Sequence, residues 1–279
     1  MHRMEPLLPS TIPTKLLGMA DEVRLKAAQL KAILPPETAS TVGYLLRATS
    51  SFYSNLIEGR FTEPVTLSDS LPKRTETELR DLAITHMLVQ GRLERMVDAR
   101  PEIPFHAWLS PDFQRHVHTR LFRWADPEDL LTADGREIKP GKFREIGVKV
   151  GTHIAPERTA VAGMMQRLHE FYSRETDFRR QLISVFAFHH RAAWVHPFAD
   201  GNGRTIRLVT HMQLYKLGLA SDLWSLSRGL ARRQRDFYER LNAADQPRYT
   251  STDGRGELTE RGLIEFIEFM LKVSICQLE

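Results

Sequence analysis

The chain has 279 residues, of which 42% are hydrophobic, and one cysteine, Cys276. That length suits one large domain or a domain with an accessory segment, and the apolar content excludes wholesale disorder. A formal net charge of +4, from 39 basic and 35 acidic residues, is too balanced to define a nucleic-acid binder. The single cysteine excludes an internal disulfide or a cysteine metal cluster and suits a reducing compartment.

The first fourteen residues carry Pro6, Pro9 and Pro13 and no apolar stretch, so no secretory signal is expected there. No run approaches the length of a membrane span, and a cytoplasmic location is expected. Residues 15–34 have helical spacing and end at Pro35-Pro36. In the next helix Val42, Leu45, Leu46, Thr49, Phe52, Tyr53 and Leu56 fall on one face. It should stop at Gly59, a natural residue for the position after a helix. Residues 60–73 read as a linker rich in Thr, Ser and Pro. Thr75-Glu76-Thr77-Glu78 is a capping-box signal opening a helix to about residue 97. Ser110-Pro111 pairs an N-cap with a first-turn proline, starting a helix to about residue 124.

Residues 126–158 hold four glycines and three prolines with no helical period. Within them Gly147, Val148, Lys149, Val150, Gly151, Thr152, His153 and Ile154 alternate and turn at glycine, which predicts a short β-hairpin. Pro156 should open a helix to about residue 173, and Thr176 should cap another to about residue 194. Further helices are expected over 202–217, over 227–244 and from about 259 onward. The fold class is therefore mostly α with one hairpin. The organisation read is an N-terminal helical segment over 1–73 and a core over 74–279.

The stretch from Trp194 to Arg207 concentrates the chemistry. Gly201-Asn202-Gly203 directly precedes a helix, so glycine permits close approach to a first turn whose N–H groups lack partners and favour an anion. Arg204 and Arg207 are three apart and share a face. Cations near a helix start are disfavoured by about 0.3–1 kcal/mol, so two in succession point to an anion that their guanidinium forks can grip. Asp200 adds a hard oxygen ligand beside that cradle, suited to Mg²⁺ held jointly with phosphates. His196 can take a proton from a hydroxyl near neutral pH, and Phe198 reads as a hydrophobic pin for the loop. Each has an ordinary alternative when taken singly: solvated arginines, a capping aspartate, a structural histidine. No Walker-type loop is present. The pairs His116/His118 and His189/His190 lack the supporting pattern of a metal site.

Residues 196–207, His-Pro-Phe-Ala-Asp-Gly-Asn-Gly-Arg-Thr-Ile-Arg, resemble the Fic-domain signature without a departure. The resemblance covers about residue 36 to the C-terminus and extends, more loosely, to His189 and to Phe237-Tyr238. It implies a Fic-type helical fold and transfer of AMP from Mg-ATP to a protein Ser, Thr or Tyr hydroxyl. Carried over, His196 would be the general base and Asp200 would hold Mg²⁺ against the α- and β-phosphates. Gly201, Asn202 and Gly203 would cradle phosphates through backbone N–H groups and the Asn202 side chain. Arg204 and Arg207 would clamp the β- and γ-phosphates. The hairpin from Gly147 to Ile154 matches a flap that docks the target backbone by strand addition. Tyr238 either lines the adenine pocket or belongs to the core.

The end of the second helix, Ser54-Asn55-Leu56-Ile57-Glu58-Gly59, resembles the family's inhibitory motif. Ser54 and Glu58 share a face, and a carboxylate at the negative end of a helix dipole gains from an outside cation. Arg207 is the expected partner, and that pair would take the guanidinium meant for the γ-phosphate. ATP and Mg²⁺ are thus the expected cofactors and a hydroxyl-bearing protein the expected partner. Self-modification and homo-oligomers stay open, while membranes and nucleic acid are not expected. Competing readings are removal of AMP, transfer of another phosphate-containing group, or a non-catalytic regulator using the basic run Arg232-Arg233-Gln234-Arg235.

Overall fold

The computed structural model describes residues 4–59, 74–132, 134–151, 153–219, 221–250 and 253–279, with the backbone alone for residues 74–81. The 60–73 linker, the side chains of the 75–78 capping pattern and Thr152 of the hairpin lie outside the described residues.

Ten helices form most of the described chain: α1 (Thr14–Ile33), α2 (Pro36–Ile57), α3 (Arg74–Ala99), α4 (Pro111–Leu121), α5 (Val161–Tyr172), α6 (Phe178–Val195), α7 (Asn202–Lys216), α8 (Leu226–Ala231), α9 (Gln234–Ala244) and α10 (Glu260–Leu278). One antiparallel pair, β1 (Lys149–Val150) and β2 (His153–Ile154), sets Lys149 opposite Ile154 and Val150 opposite His153. The architecture is mostly α with a single hairpin, as the sequence predicted.

The centre is α6 and α7, packed on each other. Twelve of the eighteen residues of α6 are buried, among them Phe186, Phe188 and Arg191. Burying a large apolar side chain contributes roughly 1.5–3 kcal/mol, so this pair anchors the loop between its members, and that loop carries the motif. Helices α5, α10 and α1 cover α6, while α4, α3 and α2 pack on α7. The segment before α1 is drawn in as well. Met4 and Leu7 are buried, the Pro6 carbonyl accepts two bonds from buried Arg191, and the Leu7 carbonyl accepts one from Tyr172.

Local signals explain several ends. The Ser110 hydroxyl accepts from the Phe113 N–H, with Pro111 in the first turn of α4, and Thr259 accepts from Gly262 to open α10. Gly59 has φ +73°, the left-handed geometry that ends α2. Three expected starts move. The helix expected from Pro156 opens at Val161 after a 3-10 turn over Arg158–Ala160. The next is capped by Asp177, whose carboxylate accepts from the Arg180 N–H, and not by Thr176. The helix expected over 227–244 is two: Ser225 caps α8, and the chain bends at Arg233 before α9.

The face of α2 that turns inward is also the reverse of what apolar spacing suggests. Its buried residues are Gly43, Ser50, Ser51, Ser54, Asn55 and Ile57, while Leu45 is 59% exposed. The inward hydroxyls are each engaged. Ser51 donates to the Ala83 carbonyl at 2.6 Å and Ser50 to Ser225 at 2.9 Å, while Ser54 accepts from Arg207. Hydrogen bonds to α3, α7 and the cap of α8 replace apolar packing on that face.

Candidate active site

The α6–α7 loop is closed upon itself. The Asn202 amide accepts from the Phe198 N–H and donates to the Phe198 carbonyl, both at 2.8 Å. Its side chain therefore braces the loop. Phe198 is buried and stacks on His118 with ring centroids 4.0 Å apart, which is the pin read from the sequence. His118 takes the Gly141 N–H on Nδ1 at 2.9 Å. Its Nε2 therefore carries the proton and donates to the Asp200 carbonyl at 3.0 Å. Burial pushes its pKa down to about 4, so this strut is neutral near pH 7.

His196 caps α6 with φ +50°, and no other non-glycine residue among those described has positive φ. Burial, then the positive Arg144, holds its imidazole pKa down at about 4, against pull from Glu58 and a ring hydrogen bond to the Ala193 carbonyl. The ring is thus neutral at pH 7, a state in which one of its nitrogens is a proton acceptor.

Gly201 caps α7 in left-handed geometry, φ +73°. A Cβ there would stand 2.6 Å from the Phe122 ring, so glycine is required twice over. The Asp200 carboxylate accepts from the Gly201 N–H at 2.6 Å and is half-buried beside the helix start. Arg204 is buried with its guanidinium 5.2 Å from the centre of the Phe122 ring.

Arg207 and the end of α2 meet here. The Glu58 carboxylate accepts from Arg207 Nη2 at 2.7 Å. The same guanidinium donates to the Ser54 hydroxyl at 3.0 Å and to the Ser54 carbonyl at 2.8 Å. Glu58 also presses on the first turn of α7, since a Cβ on Gly203 would lie 2.0 Å from Glu58 Oε1. An anionic oxygen already rests on the helix start that favours anions. Tyr238 Oη donates to the Ile57 carbonyl at 2.8 Å, and Gln234 donates to the same atom at 3.1 Å. The end of α2 is thus tied to α9 as well as to α7.

Two cavities meet at His196. One, of about 180 Å³, is lined by Glu58, His189, Trp194, Gly203, Arg207 and Tyr238. The other, of about 650 Å³, is lined by Glu128, Thr132, Gly147, Lys149, Val150 and Asp200. Val150 of the hairpin borders both. The arrangement sets a cation-lined, aromatic recess on one side of the imidazole and a groove along a strand edge on the other.

Sequence reasoning overlooked Arg144. It is buried and its guanidinium donates to the carbonyls of His196 at 2.8 Å, Ile146 at 2.8 Å, Pro156 at 2.5 Å and Val195 at 3.3 Å. Its own N–H donates to the Pro197 carbonyl at 2.8 Å. An arginine in a loop gives no periodic signal, and nothing in its neighbourhood in the sequence marks it. Among the described residues no group of three His, Cys, Asp or Glu is placed to hold a metal ion.

The fold is shared with solved structures of Fic proteins. A Fic family protein from Desulfovibrio desulfuricans superposes with a TM-score of 0.72 at 18% identity, covering 97% of this chain and 75% of that one. A Fic domain containing signaling protein from Bacteroides thetaiotaomicron gives 0.69 at 17% identity, covering 93% and 94%. Fic-1 from C. elegans gives 0.66 at 18% identity, covering 93% and 69%. The chain has a mostly helical Fic-type fold. Within it, residues 108–214 match the model of the Fic/DOC family and make up a Fic/DOC family domain. Over 103 residues, 37% of the chain, it is 32% identical to the protein adenylyltransferase Fic of Drosophila willistoni and 31% identical to that of Culex quinquefasciatus. That stretch is 19% of the length of either relative. No helix among the described residues is long and apolar enough to cross a membrane.

Proposed function

We propose that this chain transfers AMP from Mg-ATP to a Ser, Thr or Tyr hydroxyl of a target protein, and that Glu58 restrains the reaction. One observation carries the reading. A neutral imidazole stands where an anion cradle and a strand-edged groove meet. The matching relatives are named as adenylyltransferases, which supports the same chemistry.

The residues fit the ligands. The carboxylate of Glu58, against Gly203 and 2.7 Å from Arg207, marks a position that accepts an anionic oxygen, which a terminal phosphate would take when Glu58 withdraws. Asp200 offers one carboxylate next to the cradle, the number Mg²⁺ commonly takes from protein when phosphates complete its shell. Mg²⁺ supplies charge neutralisation of the phosphates when bound.

In this scheme His196 accepts the proton of the target hydroxyl as its oxygen bonds to the α-phosphorus. The bond to the β-phosphate oxygen breaks and pyrophosphate leaves. The first-turn N–H groups of α7 and the guanidinium groups of Arg204 and Arg207 hold the charge that moves onto the leaving group. A pKa near 4 makes His196 a weak base in the present state; phosphate anions brought beside it would raise that value toward the working range. The open edge of β1 aligns an extended target segment in the groove. Tyr238 forms part of the wall facing the base and, through Ile57, reports on the seat of α2.

The test is incubation of wild type, Glu58→Gly and His196→Ala with target extract and ATP labelled at either the α or the γ position. AMP transfer gives α label only, strongest in Glu58→Gly and lost in His196→Ala. Label from γ-labelled ATP without label from α-labelled ATP would mean phosphorylation, and release of AMP from a pre-modified target would mean removal; either result overturns the reading.

A further inference from the structure

The hairpin and the motif loop share one support, and this gives a role to a residue outside the signature. Arg144 reaches both. Two of its acceptors, the carbonyls of Ile146 and Pro156, flank the hairpin, whose own ladder continues through the bond from Ala155 N–H to the Val148 carbonyl at 3.1 Å. The other acceptors, Val195 and His196 with Pro197 through the backbone, form the turn that holds the imidazole. A left-handed non-glycine residue is sterically strained and persists only where its surroundings over-determine it. Three consecutive carbonyls fixed by one residue do that for His196.

We propose that Arg144 is the positioning residue that locks the strand edge and the His196 imidazole into one register, so that a hydroxyl held on the hairpin arrives at the base. This rests on the transferase reading given above. Guanidinium is needed because its planar fork serves several acceptors at once, whereas a lysine ammonium is a single charge on a flexible stem. Misplacement by about 1 Å of groups that must meet in a reaction can cost a hundredfold in rate. The two sides of the site also separate in what they should feel. Anion binding at the start of α7 would use Gly203, Arg204 and Arg207, and the carbonyls that Arg144 holds belong to other residues.

The charged and titratable groups facing His196 are Arg144, His153 and Glu58, and they allow charge to be separated from geometry. Arg144→Lys keeps the positive charge and loses the shared acceptors; Arg144→Gln loses both. The experiment makes both changes in the Glu58→Gly protein. It measures ATP binding per chain, kcat and KM with target, hydrogen exchange at the Ala155 amide, and the NMR titration of the His196 ring. The expected result is about a hundredfold lower kcat in both variants, ATP affinity within twofold of the parent at one site per chain, and at least tenfold faster exchange at Ala155. The His196 midpoint should rise in Arg144→Gln and hold in Arg144→Lys. A kcat within threefold of the parent in both variants overturns the proposal while leaving the transferase reading intact. If the parent transfers no AMP, the transferase reading fails, and unchanged Ala155 exchange together with an unmoved His196 titration then overturns the positioning role by itself. If the glutamine variant does not fold, the lysine variant decides through the same exchange measurement.

Discussion

Replacing Glu58 tests the proposed restraint most directly. In the resting structure its carboxylate takes Arg207 Nη2 at 2.7 Å and crowds Gly203. A hydrogen bond to a charged group contributes about 1.5–3 kcal/mol. The Glu58 side chain is 35% exposed while that of Arg207 is 4% exposed, so screening from the glutamate side sets the lower figure, about 1.5 kcal/mol. Each 1.4 kcal/mol is about tenfold. Glu58→Gln, which keeps the shape and removes the charge, should raise the initial rate of α-label transfer about tenfold. Glu58→Gly, which also empties the space against Gly203, should raise it further. The melting temperature should hardly change. The carboxylate sits at the unfavourable end of the α2 dipole, worth about 0.3–1 kcal/mol, and Arg207 retains both bonds to Ser54. The assay is initial-rate labelling with α-labelled ATP, alongside calorimetric ATP affinity. If the glutamine and glycine forms both label at the wild-type rate and bind ATP with wild-type affinity, no competition exists at Arg207 and the argument fails.

Other expectations follow from the same geometry. His196→Ala should reduce transfer by about 10²–10⁴-fold with ATP affinity retained, as read by single-turnover labelling and calorimetry. Asn202→Ala removes two buried bonds to the Phe198 backbone. At about 1 kcal/mol each, the loss should lower the melting temperature by about 4–8 °C, and an unchanged melt would mean the loop is closed by other means. Stability should also fall on the acid side. His86 and His189 are held at about 3 and His118 and His196 at about 4, in each case mainly by burial. Below the ordinary value of 6.5 the unfolded chain binds protons that the folded chain refuses, so stability is full above that pH and declines as pH drops toward 4. At pH 5 the loss is at most about 2 kcal/mol per histidine. Chemical denaturation at pH 7 and pH 5 should show a clear drop in midpoint, and equal midpoints would contradict the burial of these rings.

What the sequence reveals depends on whether the controlling interaction is local. The caps Ser110 and Thr259 act within three residues; Ser110 is read as a cap from the sequence, and a helix is expected from about residue 259. The glycine turn before α7 needs left-handed geometry at Gly201, and the residue type announces it. The split between α8 and α9 was not readable. There the chain bends at Arg233 while α9 ties Gln234 and Tyr238 to the Ile57 carbonyl, about 180 residues away in sequence. The inward face of α2 was hidden for a similar reason. Serines become buried only where distant groups, Arg207 and the Ala83 carbonyl among them, satisfy their hydroxyls, and periodicity counts apolar residues alone. Asn202 stands out as part of the motif, while its two bonds to the Phe198 backbone four residues back are visible only in the structure. Arg144 serves carbonyls from two separate stretches of chain, a role that no spacing rule encodes.

The serine-lined seat of α2 has an energetic consequence. Lifting a helix from an oily bed exposes apolar area to water, and the penalty grows with every square ångström. Lifting this one would expose Ile57 and would otherwise exchange the hydroxyl bonds of Ser50, Ser51 and Ser54 for bonds to water. Under the proposed restraint, such a seat would leave the contacts with Arg207 as the main term holding the end of α2 in place.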